Sequence, residues 1–137
     1  MHVLDTNAVS ALMRGDQRVI DRLRQLDRSE VAVPQPVLAE IAYGVARLPR
    51  SRRRAELERR AEAIRLEIPR AEWTDAVSAA FGTIKAVLER GGKRIEDFDA
   101  AIAAHALAVR GTLVTADVEH MIRVPGLTVE DWTAKKS

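Results

Sequence analysis

The chain contains no cysteine. That single absence removes disulfides, thiolate metal ligation and cysteine nucleophiles. Aromatic residues make up only 4% of it (Tyr43, Phe81, Phe98, Trp73 and Trp132). Such a set is too sparse for the stacking platforms that read single-stranded bases, so any choice among nucleic acids would rest on shape and backbone position. No apolar run approaches the roughly 20 residues needed to span a bilayer. The opening Met1-His2-Val3-Leu4-Asp5 lacks the basic start and apolar stretch of a secretory leader. The expectation is a cytoplasmic protein with no membrane association.

Excess charge of either sign is small, with a formal net of +2, but its distribution is uneven. Between Arg47 and Arg65, eight arginines face only Glu56, Glu58 and Glu62. The remainder of the chain is therefore slightly acidic. An acidic site beside a basic face suits a phosphate-rich substrate, which is attracted first and then met by a metal ion. The same stretch also reads as a solvated helix laced by pairs such as Arg52–Glu56, Arg54–Glu58 and Glu56–Arg60.

At 137 residues and 47% hydrophobic content, the chain can build one real core. Without linker, repeat or low-complexity stretch, it reads as a single domain over residues 1–137. Short β-branched runs predict strands near His2-Leu4, Val31-Val33, Leu66-Ile68, Thr112-Thr115 and Thr128-Val129. Between them, helical patterns cover about Ala8–Leu26 in one or two pieces, Pro36–Arg47, Ser51–Arg65, Ala71–Arg90 and Asp97–Arg110. Gly91-Gly92 is a natural helix stop. The alternation predicts an α/β fold: an α/β/α sandwich around a parallel sheet of four to five strands.

That fold locates a site. Ligands of open α/β sheets bind beyond the carboxyl ends of the strands, where the strand order reverses. Asp5 ends the first strand and Asp117 follows the fourth, while Glu40 and Asp99 lie about one turn or less into their helices. All four are then able to meet at one edge of the sheet. Carboxylates gathered in a cleft repel one another, and a hard cation with oxygen ligands relieves the repulsion. Mg²⁺ or Mn²⁺ fits an all-carboxylate set and suits phosphodiester hydrolysis. Thr6, Asn7 and Thr115 are short polar neighbours suited to orienting ligands. Each acid also has an ordinary reading: Asp5 as a helix cap, Asp99 as an anion at a helix start, Asp117 as a turn former. Glu40, within the apolar Leu38-Ala39 and Ile41-Ala42, has no such explanation.

The motifs carry a resemblance. Val3-Leu4-Asp5-Thr6-Asn7 and Val37-Leu38-Ala39-Glu40-Ile41-Ala42-Tyr43-Gly44 are similar to the first two motifs of PIN-domain toxins of the VapC type. Ile95-Glu96-Asp97-Phe98-Asp99-Ala100-Ala101-Ile102-Ala103-Ala104-His105-Ala106 resembles the third. Leu113-Val114-Thr115-Ala116-Asp117, with Arg123-Val124-Pro125-Gly126-Leu127 and Glu130-Asp131-Trp132 beyond it, resembles the fourth motif and the C-terminal signature. The resemblance implies a PIN-type fold and magnesium-dependent endonucleolytic cleavage of RNA that arrests translation. It also implies a VapB-type antitoxin partner, a homodimer, and metal-binding roles for Asp5, Glu40, Asp99 and Asp117. Two positions depart from the pattern. Asp97 offers a second aspartate in the third motif and reads as the helix N-cap, with Asp99 favoured as the ligand. Ala116 stands where an Asn often precedes the fourth acid, and Glu119 is a further candidate to face the site.

Among the histidines, His105 reads as a partly buried structural residue, and neither His2 nor His120 has an evident partner. The apolar positions of the first helices (Val9, Leu12, Met13, Ile20, Leu23, Leu26) suit either a groove for an antitoxin helix or ordinary core packing. Two other functions remain open. A haloacid-dehalogenase-like phosphatase also begins with an Asp after its first strand, but it wants Asp-x-Asp where this chain has Asn7. A non-catalytic toxin-like module acting with an antitoxin on operator DNA would not need four intact carboxylates.

Overall fold

The computed structural model describes residues 1–134. Five strands, β1 (His2–Leu4), β2 (Val31–Pro34), β3 (Arg70–Ala71), β4 (Thr112–Val114) and β5 (Thr128–Glu130), form one sheet in the order β3-β2-β1-β4-β5. Every pairing is parallel. Helices α1 (Thr6–Met13), α2 (Gln17–Arg24), α3 (Gln35–Ala46), α4 (Arg52–Glu67), α5 (Asp75–Arg90), α6 (Asp97–Ala108) and α7 (Val118–Met121) make the connections. The sheet flanked by helices is the α/β/α sandwich that the alternating pattern predicts.

The central strands β1, β2 and β4 are largely apolar because helices cover both faces of the sheet. Val3, Leu4, Val33, Leu113 and Val114 are all buried. They pack with Val37, Ile84, Leu88 and Ile102 in a single hydrophobic cluster. Helix α6 is buried nearly all round from Ala100 to Ala106. A helix apolar on every side has no solvent face to keep, and its alanines allow close approach to both α5 and the sheet. Its first turn, which holds Asp97 and Asp99, is the end that emerges.

The strand order reverses between β1 and β4, since the chain first builds outward through β2 and β3 and then returns to the other side. Their register pairs Leu4 with Val114. Asp5 and Thr115 therefore leave the sheet side by side at its carboxyl edge, and Asp5 N–H still donates to the Val114 carbonyl at 3.1 Å.

Three local expectations need correction. Leu66-Ile68 is not a strand: α4 continues to Glu67, and the strand is Arg70–Ala71. Pro69 is the reason. A proline forces the preceding residue out of the helical region, and Ile68 is extended at φ −103°, ψ 127°. The Pro69 carbonyl then accepts from Val33 N–H at 2.9 Å and starts the pairing with β2. Consequently Ala71 lies in β3, and α5 begins at Asp75 behind the Thr74 hydroxyl, which accepts from Val77 N–H. Finally, Asp97 is not the N-cap of α6. Glu96 holds the extended cap conformation, and Asp97 is already helical.

Candidate active site

Four elements deliver one carboxylate each to the carboxyl edge of the sheet. Asp5 follows β1 and caps α1. Its Oδ1 accepts from Ala8 N–H at 3.0 Å, and its Oδ2 accepts from the Asn7 side-chain amide at 3.0 Å. The capping role and a site role are thus compatible, because a capping carboxylate still has lone pairs to offer. Its side chain is buried. Glu40 projects from α3, where its Oε1 accepts from the Thr6 hydroxyl at 2.5 Å. Asp99 sits half-buried in the first turn of α6, and Asp117 follows β4 at the start of α7.

The polar residues between them fasten β1 to β4. Asn7 Oδ1 accepts from Ala116 N–H at 2.8 Å, while its amide reaches Asp5 and, at 3.4 Å, the Thr115 hydroxyl. That hydroxyl in turn accepts from Asp117 N–H at 2.9 Å. Thr6, Asn7 and Thr115 therefore orient three of the four acids. Asp97 does not join them, and its carboxylate pairs with Lys85 Nζ at 3.1 Å. Glu119 lines a neighbouring cleft with Gly92, Lys93, Ile122 and Arg123, away from Asp99 and Asp117.

The electrostatics are those of uncompensated negative charge. Burial pushes the Asp5 carboxyl from 3.8 up to about 6. Hydrogen bonds from Thr115 and Ala8 restrain the rise, and the charges of Asp99 and Asp117 add to it. Asp99 is also raised, first by burial and then by Glu40, Asp117 and Glu96, with His120 opposing. The four acids thus feel one another across one space. Among the described residues no three of these side chains are drawn into a ready metal cluster. Their chemistry nonetheless fits a hard divalent cation, with only oxygen donors and a local excess of negative charge that a cation would relieve.

His120 is the residue that sequence reasoning missed. Its Nδ1 lies 2.7 Å from Asp117 Oδ1, and it lines a cleft of about 360 Å³ with Arg94, Glu96, Asp99, Asp117 and Arg123. The signal available was the three-residue spacing from Asp117, which brings two side chains together only once a helical turn is recognised there. The other histidines lie elsewhere. His2 is 5.8 Å from the Trp132 ring and 3.8 Å from Glu130. His105 is fully rather than partly buried, hydrogen-bonded through Nδ1 to the Ala101 carbonyl and packed edge-on against Trp73. Burial lowers its pKa. With one histidine at the cleft, cleavage by a histidine pair has no geometry to support it.

The chain has relatives among known proteins. The chain is 28% identical over 134 residues to ribonuclease VapC2 of Rickettsia felis, a match that covers 96% of this chain and 98% of that one. It is 29% identical over 131 residues to the tRNA(fMet)-specific endonuclease VapC of Salmonella typhimurium, covering 95% and 96%. Among solved structures it is similar to a chain of VapBC2 from Rickettsia felis bound to a DNA fragment from their promoter. The TM-score there is 0.85 at 25% identity, with 96% and 98% of the two chains covered. FitAcB from Neisseria gonorrhoeae gives 0.80 at 27% identity over the same shares. The PIN-domain pattern matches residues 2–127, which include all four carboxylates, and the chain belongs to the PIN-domain family.

Proposed function

We propose that this chain is a divalent-metal-dependent endoribonuclease, the toxin of a toxin–antitoxin pair, acting as one domain over residues 1–137. PIN-domain nucleases generally use divalent metal ions, and we assign Mg²⁺ or Mn²⁺ to Asp5, Glu40, Asp99 and Asp117. The observation that carries this reading is their convergence at the β1/β4 switch point, where Asp5 and Asp99 are both held above the usual carboxylate range. A divalent ion bound there supplies the positive charge that activates water and stabilises the leaving oxygen of a phosphodiester. The chain's own residues do the positioning. Thr6 fixes Glu40, Asn7 and the Ala8 N–H fix Asp5, and Thr115 and His120 hold Asp117. Asn7 occupies the place of the second aspartate of a haloacid-dehalogenase phosphatase, and its bonds to Asp5 and Ala116 give it a structural task instead.

Relatives named ribonuclease and tRNA(fMet)-specific endonuclease support RNA as the substrate. Structural neighbours solved as VapBC complexes support a VapB-type antitoxin as partner, with a homodimer as the expected assembly. None of the described helices is long and apolar enough to cross a membrane, which is compatible with a cytoplasmic toxin. The test is cleavage of cellular RNA by purified protein with Mg²⁺ or Mn²⁺. Chelator should abolish it, and Asp99→Asn should lower it by a hundredfold or more while the circular-dichroism spectrum is kept. Turnover of small phosphomonoesters without RNA cleavage, or activity that survives chelator, would overturn it.

A further inference from the structure

Two clefts flank the carboxylates, and both carry arginines without a carboxylate partner. The first holds Asp99 and Asp117 together with Arg94 and Arg123. The second, of about 420 Å³, holds Thr6 and Glu40 together with Arg14, Arg47 and Arg53. A run of hydrogen bonds joins the two walls: Thr6 holds Glu40 in the second cleft, the adjacent Asn7 reaches Thr115, and the Thr115 hydroxyl accepts from Asp117 N–H in the first.

Most other arginines of helix α4 are paired, Arg52 excepted. Arg54, Arg59, Arg60 and Arg65 are each within 3.0 Å of a glutamate on the same helix. Their charge is spent locally. Among the described residues none of the five cleft arginines makes an ion pair. Arg123 is instead aimed by a hydrogen bond to the Arg94 carbonyl at 3.4 Å, and Arg47 lies over the Tyr43 ring at 6.0 Å. Unpaired guanidinium forks beside a cluster of acids have one evident ligand chemistry, the phosphate oxygens of a chain whose reacting phosphate lies at the acids.

We propose that the two clefts form a continuous substrate track. In it Arg94 and Arg123 grip the RNA backbone on one side of the scissile phosphate, and Arg14, Arg47 and Arg53 grip it on the other. The inference rests on the nuclease reading for the identity of the polymer, but not on cleavage itself. The Arg/Glu-rich face of α4 from Arg59 to Arg65 takes no part. Single-stranded RNA fits because neither cleft is lined by Phe, Tyr or Trp to demand particular bases, so contacts to the backbone dominate and binding follows salt.

The probe is a fluorescently labelled single-stranded RNA oligonucleotide, with binding measured by anisotropy in chelator between about 50 and 200 mM salt. Each phosphate contact removed from a single strand should lower the slope of log K against log salt by about 0.7. The Arg94→Ala/Arg123→Ala pair should therefore lose about 1.4 from the slope and about tenfold or more in affinity. Arg47→Ala/Arg53→Ala should do the same, whereas Arg59→Ala/Arg65→Ala should leave both quantities unchanged. Arg123→Lys, which keeps the charge, should keep the slope and guards against a folding artefact. Equal losses in the α4 control, or a loss confined to one cleft, would overturn the two-sided track. Cleft-dependent binding by a protein that never cleaves RNA with metal would uphold the track and overturn the nuclease reading.

Discussion

At the scale of single residues, Asp5 shows how a site opposes stability. Its folded pKa of about 6 lies above the ordinary 3.8, so the folded protein binds that proton more tightly than the unfolded chain. The associated stability is fully present below pH 3.8 and is lost as pH rises through about 6. At neutral pH without metal, the buried charge costs about 3 kcal/mol. Asp5→Asn removes the charge and retains a good N-cap, but it loses about 1 kcal/mol for the bond from Asn7. Urea unfolding in chelator should therefore find the variant about 2 kcal/mol more stable at pH 7.5, with the difference closing or reversing near pH 4. A variant less stable at both pH values would show that Asp5 is not charged at a cost. The same substitution should eliminate RNA cleavage.

Other residues show what sequence could and could not expose. Glu40 was conspicuous because an apolar helix segment has no bland use for a glutamate. Asp97 and Asp99 were not separable by residue type. Helix phase separated them, turning Asp97 toward Lys85 and leaving Asp99 half-buried near Glu40 and Asp117. His120 gained its role only when α7 formed the turn that brings it to Asp117.

At the scale of elements, the junction of α6 with β4 carries an instructive pair of residues. The sequence places Gly111 after the helix, where a left-handed cap is usual. In the structure Arg110 takes the left-handed conformation, at φ 52°. Gly111 is required for a different reason: a Cβ there would stand 2.5 Å from the Met1 carbonyl oxygen. That carbonyl also accepts from Thr112 N–H, so it has no freedom to retreat without disturbing the β1–β4 ladder. The two neighbours should respond oppositely. Arg110→Gly should stabilise by up to about 1 kcal/mol by relieving left-handed strain. Gly111→Ala should destabilise by about 1–3 kcal/mol through forced displacement. Urea midpoints at unchanged m-value provide the check. Helix α4 teaches a related lesson. Its arginine–glutamate spacing was legible, but Arg59 joined Arg60 on Glu56 where Arg52 had been expected.

At the scale of the whole molecule, folding and metal binding are coupled through the shared edge. Because the carboxyls of Asp5 and Asp99 are raised first by burial and then by neighbouring acids, a divalent ion must displace their protons to bind. Its apparent affinity should weaken as pH falls below about 6. Mn²⁺ or Mg²⁺ at a hundred times its Kd should stabilise the protein by about 2.7 kcal/mol. Thermal unfolding should record a rise in Tm that grows with metal concentration, shrinks toward pH 5 and is absent from an Asp5→Asn/Asp99→Asn variant. A rise of equal size in that variant would place the ion elsewhere.

The fold class and the alternation of the major elements, though not the short α7 or the bounds of β3, followed from the sequence by itself, because periodicity and turn chemistry are local. Short β-branched runs alternating with helical stretches admit little besides a parallel sheet covered by helices, and acids at strand ends then point to one edge. The strand order was not local. Only tertiary packing put β4 beside β1 and so brought Asp117 near Asp5, across more than a hundred residues of chain. Tertiary structure likewise decided which arginines are paired within α4 and which stand free beside the acids. An ion pair along a helix is set by spacing, whereas a cleft exists only when separate elements meet.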